Sequence, residues 1–145
     1  MSARLVIDGE VAAPQALDFE TLRALSEQLV EPSALLAGRE IAAVRLDTLL
    51  AIAGLTDGAR SVVFESAEGS FLVAMSLEAA RDCVVVYRVG DAPLPRGLGG
   101  PFRLVTQGRL RCGDVKALGT IYISERPHVD DSDTERVCVR TARAA

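Results

Sequence analysis

The residues able to carry chemistry are few and unevenly spread along this chain of 145 residues. Lys116 is the only lysine beside fifteen arginines, and His128 is the only histidine. An arginine keeps its proton near neutral pH, so the pool of general bases is thin. A hydrolase of the histidine type has one candidate, His128, and it stands in an acidic stretch close to the end of the chain. That class is set aside. The neighbouring run Asp130-Asp131-Ser132-Asp133-Thr134-Glu135 lacks the mid-loop glycine of a calcium-binding helix–loop–helix motif and reads as a solvated turn. Cys83, Cys112 and Cys138 form an odd set without CxxC spacing. They predict a reducing compartment, and they give neither a disulfide framework nor a structural zinc site much to draw on. Cys83 lies in an apolar run and reads as a core thiol. Cys112, between Arg111 and Asp114, is the one thiol in a basic setting that could lower its pKa, although a surface turn is the favoured reading there.

Charge gives a second lead. The formal net charge is −4, which argues against a nucleic-acid partner of the ordinary basic kind. Residues 96–116 run against that trend: Arg96, Arg103, Arg109, Arg111 and Lys116 face Asp114 alone, a local +4. Arginine forks and lysine point charges are how proteins hold anions, while a solvated surface yields the same clustering by chance. Within this segment Arg96-Gly97-Leu98-Gly99-Gly100-Pro101 has the look of a phosphate loop. A nucleotide loop joins a strand to a helix, whose amino end supplies the amide donors; here Pro101 and the apolar run after it predict a strand. A dinucleotide or P-loop fold is excluded on that ground.

The elements that must hold these residues are mostly strands. Leu5-Val6-Ile7 leads into a turn at Gly9, and Asp18 is placed to cap a short helix with Leu22, Leu25 and Leu29 on one face, closed off by Pro32. A second helix is predicted over 46–53, with Gly54 as its stop. Ser61–Ser66 and Phe71–Met75 read as a hairpin about Ala67-Glu68-Gly69-Ser70. Ser76 can cap a third short helix through Arg81, and Cys83–Tyr87 has the unbroken apolar pattern of a strand buried on both faces. An irregular loop is predicted over 90–101, then strands over 102–106, 119–123 and near 137–139. The expectation is one α+β domain over residues 1–145, a mixed-sheet or barrel-like core with a few short helices, whose last part, 125–145, holds the acidic turn and final strand. No run of about 20 apolar residues is present to span a membrane, and the amino-terminal residues lack the pattern of a signal peptide, so a cytoplasmic location is expected.

From Pro93 to Ile123 the sequence becomes specific. Leu94-Pro95, Gly99-Gly100-Pro101-Phe102-Arg103-Leu104-Val105, Gly113-Asp114-Val115-Lys116 and Ile121 resemble the molybdopterin-binding domain of the sulfite oxidase family. Weaker similarities run in order upstream: Val6–Val11 to the opening strand and turn, Leu17–Leu22 to the first helix, Leu46–Gly54 to an L-x-x-L-L-x-x-A-G helix, and Ser66–Ser70 to a hairpin turn of the D-G-Y kind. The likeness covers about residues 4–124. It implies a molybdopterin cofactor, contacted through Arg103 and through Gly113, Asp114, Val115 and Lys116. A molybdopterin carries a phosphate and a polar ring, so fixed cations and amide donors suit it. Catalytic relatives also place a cysteine between the first two helices, where its thiolate binds molybdenum. Residues 30–46 contain none. Leu98, Gln107 and Ala117 stand where the resemblance implies a polar residue or histidine, a proline and an aromatic.

Two function classes follow. One is a non-catalytic relative that uses its loop face for an anionic ligand or a protein partner; the other is a genuine molybdopterin- or pterin-binding redox protein or subunit. The missing thiolate favours the first, and the sequence leaves open whether the domain is an enzyme. A third, minor reading makes Cys112 a redox thiol.

Overall fold

A computed structural model of the chain describes residues 3–25, 27–30, 41–105, 115–127 and 138–139. Eleven strands and three α-helices occur among them: β1 Leu5–Gly9, β2 Gln15–Leu17, α1 Phe19–Arg23, β3 Glu27–Val30, β4 Ile41–Arg45, α2 Leu46–Ala53, β5 Ser61–Ser66, β6 Leu72–Ser76, α3 Leu77–Ala80, β7 Val84–Val89, β8 Ala92–Pro93, β9 Arg103–Val105, β10 Leu118–Ser124 and β11 Cys138–Val139. The strands form two sheets. One has the order β11-β6-β5-β10-β1-β2, and the other has β3-β4-β7-β8 with β9 also paired to β7. All pairs are antiparallel except β1 with β10. This is the α+β architecture that the strand-rich pattern predicts.

The main core lies between the sheets, with Leu5, Ile7, Phe64 and Ile121 from one meeting Val44, Val85, Tyr87 and Leu104 from the other. Burial alternates along β6, whose outer face remains half-exposed, whereas β4 and β7 are buried on successive residues. A second cluster, including Ile41, Ala43, Val84 and Val86, covers the other face of that sheet. Each large side chain so enclosed contributes about 1.5–3 kcal/mol relative to exposure. Helix α2 follows its sequence pattern closely: Leu46, Leu49, Leu50 and Ala53 are buried at helical spacing, and Gly54 ends it at φ +76°. The first amide of α2, that of Leu46, donates to the Cys83 carbonyl just ahead of β7, which anchors the helix to the sheet.

Helix α1 departs from expectation. Asp18 does cap it, accepting from the Thr21 amide at 2.9 Å, but the helix ends at Arg23. Leu29 lies in β3, opposite Ala42 of β4, and not on a shared helical face with Leu22 and Leu25. The leucine spacing fits a helix, but strand pairing to β4 satisfies this backbone instead. Strand β4 itself has no alternation to announce it. The expected hairpin of β5 and β6 forms with Phe64 opposite Val73, and Ser76 caps α3 through the Ala79 amide. The loop over 90–101 is more ordered than expected, containing β8 and a 3-10 turn at Arg96–Leu98. No helix among the described residues is long and apolar enough to cross a membrane.

Candidate functional site

Three backbone segments meet at one end of the molecule. After the 3-10 turn, Gly99 donates to the Arg96 carbonyl at 2.9 Å and Gly100 to the Pro95 carbonyl at 2.9 Å. The chain then runs into β9, whose Leu104 exchanges two backbone hydrogen bonds with Val115, at 2.9 and 3.0 Å. That pairing brings the Lys116–Ala117 turn against the glycines: the Ala117 amide donates to the Gly99 carbonyl at 2.7 Å, and the Leu118 amide to Phe102 at 2.7 Å. The third segment is the β5–β6 hairpin turn, where the Ala67 amide donates to the Ala117 carbonyl at 2.7 Å. Ala117 has φ +51°, a left-handed conformation that a non-glycine residue holds only under constraint. Bonds at both its amide and its carbonyl supply that constraint.

Glycine is required where these segments touch. Gly99 has φ +93°, and a Cβ there would lie 2.8 Å from Arg103 Cδ and 3.0 Å from Lys116 Cγ. The stems of the two cations therefore both approach Gly99. At Gly100 a Cβ would fall 1.8 Å from the Leu94 carbonyl oxygen, a clash with fixed backbone.

Between the hairpin turn and the two loop turns lies an open cleft of about 500 Å³. Arg96, Gly99, Gly100, Lys116 and Ala117 line it from the loop turns, and Ser66, Glu68, Ser70 and Phe71 from the hairpin. Arg96, Lys116, Glu68 and Ser70 are exposed, while Ser66 is buried with its hydroxyl accepting from the Phe71 amide at 3.1 Å. The amides of Leu98, Gly99, Gly100 and Ala117 are all spent on backbone carbonyls, so these four give no amide cradle. The cationic side chains that line the cleft are those of Lys116 and Arg96.

The sequence-predicted site residues divide. Lys116 lines the cleft. Arg103 is half-buried at the start of β9, and its guanidinium donates to the Leu98 carbonyl at 3.0 Å, holding the 3-10 turn from the side of the strand. Val115 is fully buried, its contribution being the backbone pairing with Leu104. Gly113 and Asp114 lie outside the described residues, as do Cys112, His128 and the acidic run. Sequence reasoning did not single out Glu68, Ser70, Phe71 or Arg96 as individual site residues. For Arg96 the signal was present in the charge reversal that begins there; for the hairpin it lay only in the turn residues.

The oxidoreductase molybdopterin-binding domain is the family whose model matches residues 33–131. The chain belongs to this family. Among solved structures, the sulfane dehydrogenase SoxCD from Paracoccus pantotrophus is similar, with a TM-score of 0.70 and 23% sequence identity. The match covers 86% of this chain and 38% of that chain, so the chain spans well under half the length of that neighbour. No curated protein matches.

For a molybdopterin-binding domain, the donor set of the cleft suits part of the cofactor. Two exposed cations match a phosphate, and hydroxyls and a carboxylate beside a half-buried phenyl ring match a polar heterocycle. No group of three or more histidine, cysteine or acidic side chains able to hold a metal ion occurs among the described residues. Cys83 is 1% exposed within the core, its Sγ 3.9 Å from Met75 Sδ and 4.0 Å from the Ala79 carbonyl. Such a thiol is packed as a hydrophobe and presents no ligand to the cleft.

Proposed function

We propose that this domain holds a phosphate-bearing pterin of the molybdopterin class in the cleft at Lys116, without contributing the thiolate that the sequence resemblance implies for catalytic relatives. The observation that carries this reading is that Arg96 and Lys116 both line one open cleft in a chain of this family. A molybdopterin that carried its metal would supply redox chemistry there. The residues of this chain bind and orient: Lys116 and Arg96 take the phosphate, and Ser70 donates to the ring. Arg103 keeps the Arg96 turn in place through the Leu98 carbonyl. Each charge-assisted contact is worth about 1.5–3 kcal/mol, so two cations support binding without any covalent anchor. Gly113 and Asp114 belong to the same proposed contact segment as Lys116.

The test is the cofactor content of protein purified from a molybdopterin-producing host. The expected result is near-stoichiometric pterin, seen by fluorescence after oxidation, with molybdenum well below one per chain. Protein that emerges without pterin, and takes up none when offered, would sink the proposal. Tight, stoichiometric molybdenum would replace it with the redox-subunit reading.

A further inference from the structure

The strand that follows Lys116 carries an irregularity on which the cleft depends. In β10, Thr120 stands opposite Glu65 and Leu118 opposite Ser66, so Gly119 is a residue without a partner in β5, a β-bulge. Its effect shows in the side chains. Leu118, Ile121 and Ile123 are all buried in the main core, a spacing of three and then two that the strict alternation of an unbroken strand does not give. Gly119 does not lie in the left-handed region, so its constraint is one of space. A Cβ there would fall 2.6 Å from the Ala67 Cα and 3.0 Å from the Ala67 nitrogen. That nitrogen carries the amide that donates to the Ala117 carbonyl at 2.7 Å. A methyl group at position 119 therefore has to displace the backbone that makes this bond.

The bond between Ala67 and Ala117 joins two groups of cleft residues. Ser66, Ser70 and Phe71 reach the cleft from the hairpin, and Lys116 reaches it from the turn just ahead of the bulge. That turn is itself tied to the glycine loop, through the Ala117 amide to Gly99 and the Leu118 amide to Phe102. We infer that Gly119 is a positioning residue of the cleft. By carrying no side chain it lets the hairpin backbone close on Ala117, and so it fixes the hairpin's share of the lining relative to Lys116. This rests on the pterin-binding reading for the ligand, and it adds the device that makes one site out of two separate stretches of chain. A phosphate alone draws only on the cations. A ligand with a ring as well as a phosphate draws on both stretches, and its affinity depends on their being held together before it arrives.

The experiment titrates the full chain by calorimetry with inorganic phosphate and with 6-hydroxymethylpterin phosphate, and reads the ratio of the two affinities. Gly119→Ala is expected to weaken the pterin phosphate about tenfold and inorganic phosphate by less than about twofold, so the ratio falls. Ala67→Pro removes the amide donor without placing anything at position 119, and is expected to lower the ratio in the same way. Gly97→Ala is the control, because a Cβ there meets nothing within 4 Å, and it should leave the ratio as it is. The wild type gives a readout that needs no variant: exchange of the Ala67 amide with solvent should slow about fivefold or more when the pterin phosphate binds, and not when inorganic phosphate does. A folded Gly119→Ala protein with the wild-type ratio overturns the assignment. So does an equal loss of both probes, or an Ala67 amide indifferent to the pterin. In each of these cases pterin binding by the wild type still stands. A wild type that binds inorganic phosphate but gains nothing from the ring, or that binds neither probe, removes the pterin reading and this inference together.

Discussion

Arg103 and Lys116 approach the same glycine, yet the protein deploys them differently. Arg103 is half-buried and donates to the Leu98 carbonyl, so its charge helps shape the loop. Lys116 is exposed and lines the cleft, so its charge faces whatever enters. The difference shows that a basic segment in a sequence can mix two jobs, one cation building the wall and another using it. A similar contrast separates the cleft from the core around Cys83, where a potential metal ligand is sealed among Met75 and its neighbours.

The first way to break this arrangement is at the wall itself. Gly100→Ala puts a Cβ against the Leu94 backbone oxygen, which cannot yield like a side chain. It is expected to cost about 3 kcal/mol or more, read as a fall in the denaturant midpoint, with loss of ligand binding as the loop shifts. A variant of wild-type stability would show that the loop is looser than the contact implies. Next comes the wall-building cation. Arg103→Ala removes a charged donor from a half-buried carbonyl and is expected to cost about 1–2 kcal/mol, with a severalfold weaker binding of phosphorylated pterin as a secondary effect. Unchanged stability with strongly reduced binding would instead assign Arg103 to direct ligand contact.

The smallest effect involves a residue that does not line the cleft and serves as a control. Asp18 accepts from both the amide and the hydroxyl of Thr21, and the hydroxyl bond above all holds its carboxyl below the usual carboxylate range. A lowered pKa in the folded state means stability that is present at neutral pH and lost as pH falls through that lowered value. Asp18→Asn keeps a capping oxygen but does not ionise. The variant should be slightly less stable at pH 7, and the gap in melting temperature should close in acid. A gap independent of pH would contradict this, and ligand binding should be untouched at neutral pH.

The sequence made some of these regions readable and hid others for physical reasons. Helix α2 is legible because Leu46, Leu49, Leu50 and Ala53 all face the core, and the β5–β6 hairpin because turn residues interrupt two apolar, strand-like runs. Strand β4 is hard to read because Ile41-Ala42-Ala43-Val44 is buried on both faces, which erases the alternation that marks a half-exposed strand. Leu29 fits a helix by its spacing because spacing records local periodicity and not the pairing to Ala42 that decides the outcome. In the cleft, Lys116 stands out as the only lysine, in a segment that resembles a cofactor site. Glu68 does not, because the hairpin turn that carries it is brought to the cleft by a backbone clasp between Ala67 and Ala117, fifty residues apart, which no local pattern carries.

The most direct test of the account is the affinity of 6-hydroxymethylpterin phosphate for the wild-type protein and for Lys116→Ala, measured side by side with their denaturant stabilities. Lys116 is exposed, so its removal should leave stability within about 0.5 kcal/mol. The account predicts that binding nevertheless weakens about tenfold or more, the loss of one charge-assisted contact of at least about 1.4 kcal/mol. Equal affinities for the two proteins would contradict it, and would return Lys116 to the solvated surface.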